Sequence, residues 1–588
     1  MTKKTKLELT WIGKDQRPKL EPRILLEDPD LSYHAKQRVT DHDLFDNRLI
    51  FGDNLLALKA LEQEFAGKVK CVYIDPPFNT GAAFEHYDDG LEHSIWLGLM
   101  HERFLSILKL LDKDGVLFVH LDDREAAYAK VLLDEVFGRS NYLNTISLTT
   151  NDPSGFKATG ATVFSTANYI LVYAKDKNTK PLRKLFIQRS YDTAYKYVLR
   201  EREQDYSKWE WSLISDVVAS QLGYANGKEA KKELGDSLLT EIELFAMENA
   251  ERVFRTAAIG GGAAIKRKAT IQKSRSAKDQ VLVHPNEDVP DFLILNGEQI
   301  LFYDKRLIDV DGLKVPGELI TDVWTDIKWT GISGEGNVEF KNGKKPEAII
   351  RRVLEMSTRP GDLVLDSFGG SGTTGAVAHK MGRRWLMIEL MDQCHTHIIP
   401  RLERVIQGTD QSGISKAAEW KGGGGFRYFK LAPSLLEQDK WGNWVISKQY
   451  NATMLAEAAC KLEGFTYAPS DTYYWMQGHS TERDFIYVTT QHLTAEQLQN
   501  LSDEVGEERT LLVLCKAFKG KTERWPNLTV RKIPIAVLKR CEWGHDDYSL
   551  NVDNLPMAEK PKAEPQQATM EFDAAKPKAR AATKTRKP

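Results

Sequence analysis

The sequence predicts an α/β fold organised around a doubly wound parallel sheet, with a large insertion and a smaller α/β unit behind it. Three observations carry this. Between residues 46 and 174, apolar runs of strand length alternate with amphipathic helical stretches, the rhythm of β-α-β units. Two strand-like runs stop abruptly, one on Asp75-Pro76-Pro77-Phe78 and one on Asp366 before SFGGSGTTG. From about Pro181 to Thr321 the rhythm breaks, and it resumes near residue 345.

In order, the first 45 residues are polar and charged and read as an arm against the domain that follows. LIF before Gly52 is a short strand, and Gly52-Asp53-Asn54 is a turn and helix cap. Leu55, Leu58 and Leu61 then form one apolar helical face. VKCVYI is a buried strand. Ser94 to Leu111 is a helix with Ile95, Leu99, Met100, Phe104, Ile107, Leu108 and Leu111 on its buried stripe. GVLFVHLDD is a strand, a helix follows through Tyr128 and Val136, and Phe164 to Ala174 is a further strand. Past the insertion come a helix over Pro346 to Glu355, the strand DLVLD, a Gly-rich turn into a helix through Ala376 and Ala378, and the strand RRWLMIEL ending at Glu389. KGGGGFRYFK marks a boundary. Beyond it RDFIYVTT and RTLLVLCKAF read as strands and AEQLQNL as a helix.

Composition narrows the class. At 588 residues, the length corresponds to roughly four domain-sized units. The five cysteines are scattered and odd in number, which fits a reducing cytoplasm and no disulfide framework. The first residues hold no apolar leader segment, and no run is long enough to span a bilayer. With a formal net charge of −2, a nucleic-acid partner would have to be met by local basic patches.

The stretch ending in Asp75-Pro76-Pro77-Phe78 presents a carboxylate, a rigid carbonyl and an aromatic ring at the carboxyl edge of a sheet, where open α/β sheets bind ligands. Two acceptors can hold the two hydrogens of an exocyclic amine and aim its lone pair at an electrophile. The ring offers a face to a flipped base. A bare DPP is also an ordinary strand-ending turn; its company decides between the two. That company is SFGGSGTTG, whose glycines let backbone amides approach a ligand, and Glu389 after the next strand, placed to take a ribose diol. The turn is not GxGxxG, so a ligand without a pyrophosphate fits. In the insertion, Tyr191, Tyr195, Tyr197, Tyr206, Trp209 and Trp211 lie among Lys and Arg, and Lys266 to Lys278 holds six basic residues and no acid. That mixture suits a nucleic-acid surface, and equally a solvated loop beside an unrelated aromatic core. Gly520-Lys521-Thr522 lacks the upstream glycine of a phosphate loop and reads as a turn. CHTH from Cys394 to His397 reads as helix surface and cap, and no metal is expected.

IDPPFNTG followed much later by LDSFGGSGTTG resembles the amino-methyltransferases acting on DNA, in the order of their β class. GDNLLALKAL, HLDD, VWTDIKWTGISGEG, KNGKKPEAIIRRV and GGGGFRYFK narrow the resemblance to the modification (Mod) subunit of type III restriction-modification systems. It implies a Rossmann-like methyltransferase sheet with permuted motif order, transferring a methyl group from S-adenosyl-L-methionine to adenine N6 in double-stranded DNA. Catalytic roles fall on Asp75, Pro76, Pro77 and Phe78. Cofactor contacts fall on Asp53, Lys345, Pro346, Asp366, Phe368, Gly369, Gly370, Ser371, Gly372 and Glu389. Ser367 and Gly369 depart from the commoner residues at their positions without removing a needed group. The aromatic-basic insertion stands where the target-recognition domain is expected, with Lys266, Arg267, Lys268, Lys273 and Arg275 as DNA-binding candidates.

The implied organisation is an N-terminal arm (1–45), a catalytic half (46–180), a target-recognition domain (181–320), a cofactor-binding half (321–430), a C-terminal α/β domain for dimer or partner contacts (431–555) and a disordered basic tail (556–588). The resemblance further implies a cytoplasmic homodimer with an ATP-dependent restriction (Res) subunit as partner; this sequence carries no helicase or nuclease motif, so cleavage would have to come from that partner. A solitary methyltransferase and a catalytically silent DNA-binding subunit are the other readings.

Overall fold

A computed structural model of the chain describes residues 8–548, apart from 77–88, 151–164, 189, 286–291, 311–312, 330, 341–342, 534, 536 and 539. At its centre is an eleven-stranded mixed sheet. In chain order its strands are β1 (Leu25–Glu27), β2 (Tyr33–His34), β3 (Asn47–Phe51), β4 (Val69–Ile74), β5 (Leu111–Leu121), β6 (Tyr142–Thr149), β7 (Ala167–Ala174), β8 (Val323–Trp324), β9 (Leu363–Asp366), β10 (Arg384–Glu389) and β11 (Gly425–Leu431). They lie in the order β1-β11-β3-β10-β9-β4-β5-β7-β6-β8, with β2 also paired to β11.

From β11 to β5 the neighbours run parallel. The doubly wound α/β sheet expected from the sequence forms with this parallel centre, and its flanks are mixed. Strand β7 runs antiparallel to both β5 and β6, and β6 itself went unread. Its YLNTISLT alternates polar with apolar residues and is only partly buried, so no continuous apolar run announces it.

Helices cover both faces: α1 (Asn54–Phe65), α2 (Asp89–Leu110) and α3 (Ala126–Leu133) from the first half, α4 (Glu347–Ser357), α5 (Thr373–Lys380) and α6 (Ile399–Gln407) from the second. Successive strand residues face opposite sides, and the cores divide accordingly. Val72, Ile74, Leu117 and Val119 pack with Leu58 and Leu61 of α1 and with Met100 and Phe104 of α2. Cys71, Tyr73, Val116 and Phe118 pack with Ile350 and Val353 of α4, Val377 of α5 and Leu402 of α6. Each buried aliphatic side chain contributes about 1.5–3 kcal/mol, so this alternation fixes which strand residues face which layer. The pairing of Val364 with Cys71 and Leu365 with Val72 sets β9 beside β4. The two strand ends singled out in the sequence are therefore neighbours.

The arm joins this sheet. Strands β1 and β2 add antiparallel to β11, and Trp11 sets its ring edge-on to His101 of α2. The insertion carries its own six-stranded antiparallel sheet, running from Trp211–Leu213 at one edge to Val281–His284 at the other. After β11 a five-stranded sheet holds Asp484–Leu493, Thr510–Phe518 and Leu528–Lys532 in parallel, with helices Ala452–Glu463 and Ala495–Val505. The tail expected over 556–588 lies outside the described residues. Among the described residues no helix is long and apolar enough to cross a membrane.

Candidate active site

The site lies at the carboxyl edge of the parallel strands. Asp75 and Pro76 follow the last residue of β4; Pro77 and Phe78, expected to complete the catalytic set, lie outside the described residues. One carboxylate oxygen of Asp75, Oδ2, lies 2.5 Å from Lys345 Nζ. The other, Oδ1, is buried with no hydrogen-bond partner. Burial raises the Asp75 carboxyl above its ordinary range, and the Lys345 ammonium pulls it back. Two residues earlier on the same face of β4, Tyr73 Oη lies 2.8 Å from His120 Nδ1 of β5. The other ring nitrogen of His120 is 3.0 Å from Asn168 Nδ2. Burial holds the His120 pKa well below the usual imidazole value, so the ring is neutral at pH 7.

The Gly-rich turn after β9 is held by the carboxylates on either side of it. Asp366 accepts from Phe368 N at 2.9 Å and from Thr374 Oγ1 at 2.6 Å. Glu389, at the end of β10, accepts from Gly370 N at 2.7 Å and from Met391 N at 2.9 Å. Gly370 sits at φ +51° and Gly372 at +75°, a region costly for β-branched side chains. Burial pushes the Asp366 carboxyl up to about 8, with the charges of Asp75 and Glu389 adding to it, and also raises Glu389. Behind the turn, the fully buried Arg401 donates to Ser371 O at 3.1 Å and to Thr373 Oγ1 at 2.8 Å. Its other nitrogen reaches Glu347 at 2.7 Å, which also pairs with Lys380.

Both halves face one cavity of about 480 Å³. Of the residues expected at the site, Asp75, Pro76, Lys345, Asp366, Phe368, Gly369, Gly370, Ser371 and Glu389 line it. Gly372 stands back as the residue before α5, and Pro346 as the residue before α4. Asp53 is not in the lining: its carboxylate caps α1 through Leu56 N, lies 3.4 Å from Arg103 and accepts from Tyr548 N at 2.9 Å. The helix-cap alternative for Asp53 is therefore realised, and the neighbouring Asn54 lines the cavity in its place.

Sequence reasoning missed Asn54, Arg103 and Phe340 as lining residues. Arg103 carried a signal: a charge between His101-Glu102 and Phe104 on a long apolar helix. Phe340 lies in an irregular stretch with no period to read.

In the insertion, helix Lys268–Ser276 leaves Lys266, Lys268, Lys273 and Arg275 exposed on and beside it. Arg267 does not belong with them. It is buried, its guanidinium lies 4.2 Å from the Phe292 ring centre, and it donates to Ala263 O. Of the aromatic residues upstream, Tyr191 and Tyr195 are core, Tyr197, Trp209 and Trp211 are partly buried, and Tyr206 is exposed. Tyr191 and Tyr195 pack on Tyr303, and Tyr197 stacks on Phe254.

Comparison with known proteins agrees with this architecture. A family profile described as DNA methylase matches residues 69–399. The chain is similar to the probable type III restriction-modification enzyme HindVI Mod subunit of Haemophilus influenzae, 34% identical over 68% of this chain and 55% of that protein. It is similar to the StyLTI Mod subunit of Salmonella typhimurium at 24% identity, over 66% of this chain and 58% of the relative. The EcoPI Mod subunit of Escherichia phage P1 matches at 27% identity, over 64% of this chain and 61% of the relative. The chain thus spans less than two thirds of the length of these relatives. The profile match runs unbroken from the first residue of β4 through the Gly-rich turn to the start of α6, more than half of the chain, and on that match the chain belongs to the DNA methylase family.

Proposed function

We propose that this chain is a site-specific DNA methyltransferase that modifies adenine N6 in double-stranded DNA. The observation that carries the reading is Asp75, which lines a cavity shared with the Gly-rich turn and whose buried Oδ1 has no hydrogen-bond partner. An adenine amino group has two hydrogens to place. Asp75 Oδ1 takes one and the Pro76 carbonyl the other, which leaves the nitrogen lone pair directed into the cavity. An ionised carboxylate is the stronger acceptor and stabilises the positive charge that develops on the attacking nitrogen.

The residues present fit S-adenosyl-L-methionine. Asp366 and Glu389 give the cavity an acidic edge suited to a cationic ligand, and Leu99, Phe340 and Ile350 supply apolar wall. Asp366, Phe368, Gly369, Gly370 and Ser371 would hold it from the turn, and Glu389 from the end of β10. Bound there, it supplies an electrophilic methyl group. Asp75 and Pro76 orient the amine, and no residue of the chain forms a covalent intermediate. The exposed Lys266, Lys268, Lys273 and Arg275 would meet phosphates.

The relatives named as Mod subunits support a role as the modification and specificity subunit of a type III system. A homodimer partnering an ATP-dependent restriction subunit in the cytoplasm follows from that role. The test is incubation with S-adenosyl-L-methionine and unmethylated plasmid, followed by base-resolution sequencing. N6-methyladenine within one recurrent sequence supports the reading; N4-methylcytosine, or unmodified DNA, contradicts it.

A further inference from the structure

Resting on that reading of Asp75 as the amine acceptor, we infer that Lys345 is the positioning residue of Asp75 and not a cofactor ligand. Its ammonium takes Oδ2 so that Oδ1 alone is left to the substrate.

Lys345 is held on a rigid support. It precedes Pro346, which biases it to extended backbone, and the helix that follows is fixed at its first residue. Glu347 is fully buried and accepts from Lys380 Nζ, from Arg401 Nη2 at 2.7 Å and from Ile414 N at 3.0 Å. The preceding Lys344 is turned the other way, donating to Ser333 O at 3.0 Å and Val338 O at 2.8 Å. Adjacent lysines therefore have opposite tasks: one ties a loop down, the other enters the cavity. Lys345 is itself buried, and its ammonium reaches one oxygen of Asp75.

A carboxylate with both oxygens free can rotate and offer either one. With Oδ2 bound to a cation on a rigid support, rotation is blocked and one acceptor faces the substrate. Lys345 also sets the charge state. The described groups around Asp75 are Tyr73 on its own strand, His120 on β5, Asp366 on β9 and Lys345 ahead of α4, with Glu389 beyond Asp366. Tyr73, the neutral His120 and the largely protonated Asp366 supply no positive charge. Lys345 is the cation in this group that favours the ionised form of Asp75, against the effect of burial.

The test separates positioning from ligand binding. Lys345→Met and Lys345→Arg are compared with wild type in single-turnover methylation at saturating S-adenosyl-L-methionine across pH, with cofactor Kd from calorimetry. Removing an opposite charge raises a carboxyl pKa by about one to three units, so the acid limb of the Lys345→Met rate profile should move up by that amount. Kd should stay within about threefold, less than the tenfold that one unit of pKa is worth, and Lys345→Arg should keep the wild-type limb. A second readout needs no turnover: the infrared carboxyl titration of Asp75, taken as the difference from Asp75→Asn, should shift upward in Lys345→Met. An unmoved limb with a Kd weakened tenfold or more would overturn the inference, as would an unshifted infrared titration. A wild-type protein that methylates no DNA, yet shows the infrared shift in Lys345→Met, would count against the methyltransferase reading and leave the pairing intact.

Discussion

Gly370 donates its backbone amide to Glu389 Oε2 across 2.7 Å, so the carboxylate expected to meet a ribose also holds the Gly-rich turn in shape. Two variants separate these tasks. Gly370→Val puts a β-branched residue at φ +51° and should abolish cofactor binding through the turn itself. Glu389→Gln keeps one acceptor, for the Gly370 amide, loses the other, for Met391 N, and removes the charge. It should weaken S-adenosyl-L-methionine roughly tenfold, since a hydrogen bond to a charged group is worth about 1.5 kcal/mol, and lower the melting temperature far less than Gly370→Val. Calorimetry with thermal melting reads both; unchanged affinity in either variant contradicts the turn's assignment.

The Asp366 carboxyl, pushed up to about 8 by burial, is largely protonated at pH 7. Its folded pKa lies above the unfolded value, so the folded protein binds the extra proton and this group's contribution to stability falls as pH rises from about 4 to 8. A cationic ligand beside it favours ionisation. Binding of S-adenosyl-L-methionine at pH 7 should therefore release a proton. Calorimetry in buffers of differing ionisation enthalpy measures this, and Asp366→Asn should remove most of the release.

On the insertion, the basic helix divides into surface and support. Replacing Lys266, Lys268 and Lys273 by Gln should lower the salt slope of DNA binding by about 0.9 for each phosphate that is no longer neutralised. Arg267→Met should leave that slope unchanged and cost about 1 kcal/mol in stability through its contact with Phe292. Binding titrations at several salt concentrations, with melting curves, distinguish the two classes.

The buried cluster behind the turn balances Glu347 and Asp410 against Lys380 and Arg401. Glu347→Ala leaves the cations in excess and should cost about 3–5 kcal/mol. Denaturant unfolding reads it; a loss under about 1 kcal/mol would mean the cluster does not hold α4 and the turn together.

What was legible in the sequence follows from what periodicity carries. The strands leading to Asp75 and Asp366 are apolar runs cut off by Pro or by a Gly-rich turn, and the apolar run before Glu389 stops on the acid itself, so both their type and their ends could be read. The direction of β7 could not, because an apolar run says nothing about which neighbour it pairs with or which way it runs. Strand β6 carried a short period-2 signal in Ile146-Ser147-Leu148-Thr149, which a search for continuous apolar runs passes over. The Lys345–Asp75 pair joins two segments on either side of the insertion, and local pattern does not reach across it. Arg267 is instructive because its signal was present. Arg267, Ile271 and Ser274 are spaced as one helical face, and they are the residues buried there. Reading the run as a charge cluster concealed the phase. Asp53 likewise carried its cap signature in Gly-Asp-Asn before an apolar helix.

On the proposed mechanism Asp75 accepts the amine of adenine while the Gly-rich turn separately binds the methyl donor. Single-turnover methylation and S-adenosyl-L-methionine calorimetry on wild type and Asp75→Ala test it together. The account predicts N6-methyladenine from wild type, transfer reduced by at least about a thousandfold in Asp75→Ala, as expected for removing a transition-state interaction worth roughly 4 kcal/mol, and cofactor affinity within a few-fold of wild type. Near-normal turnover in Asp75→Ala, or a loss of cofactor binding that matches the loss of transfer, would contradict it.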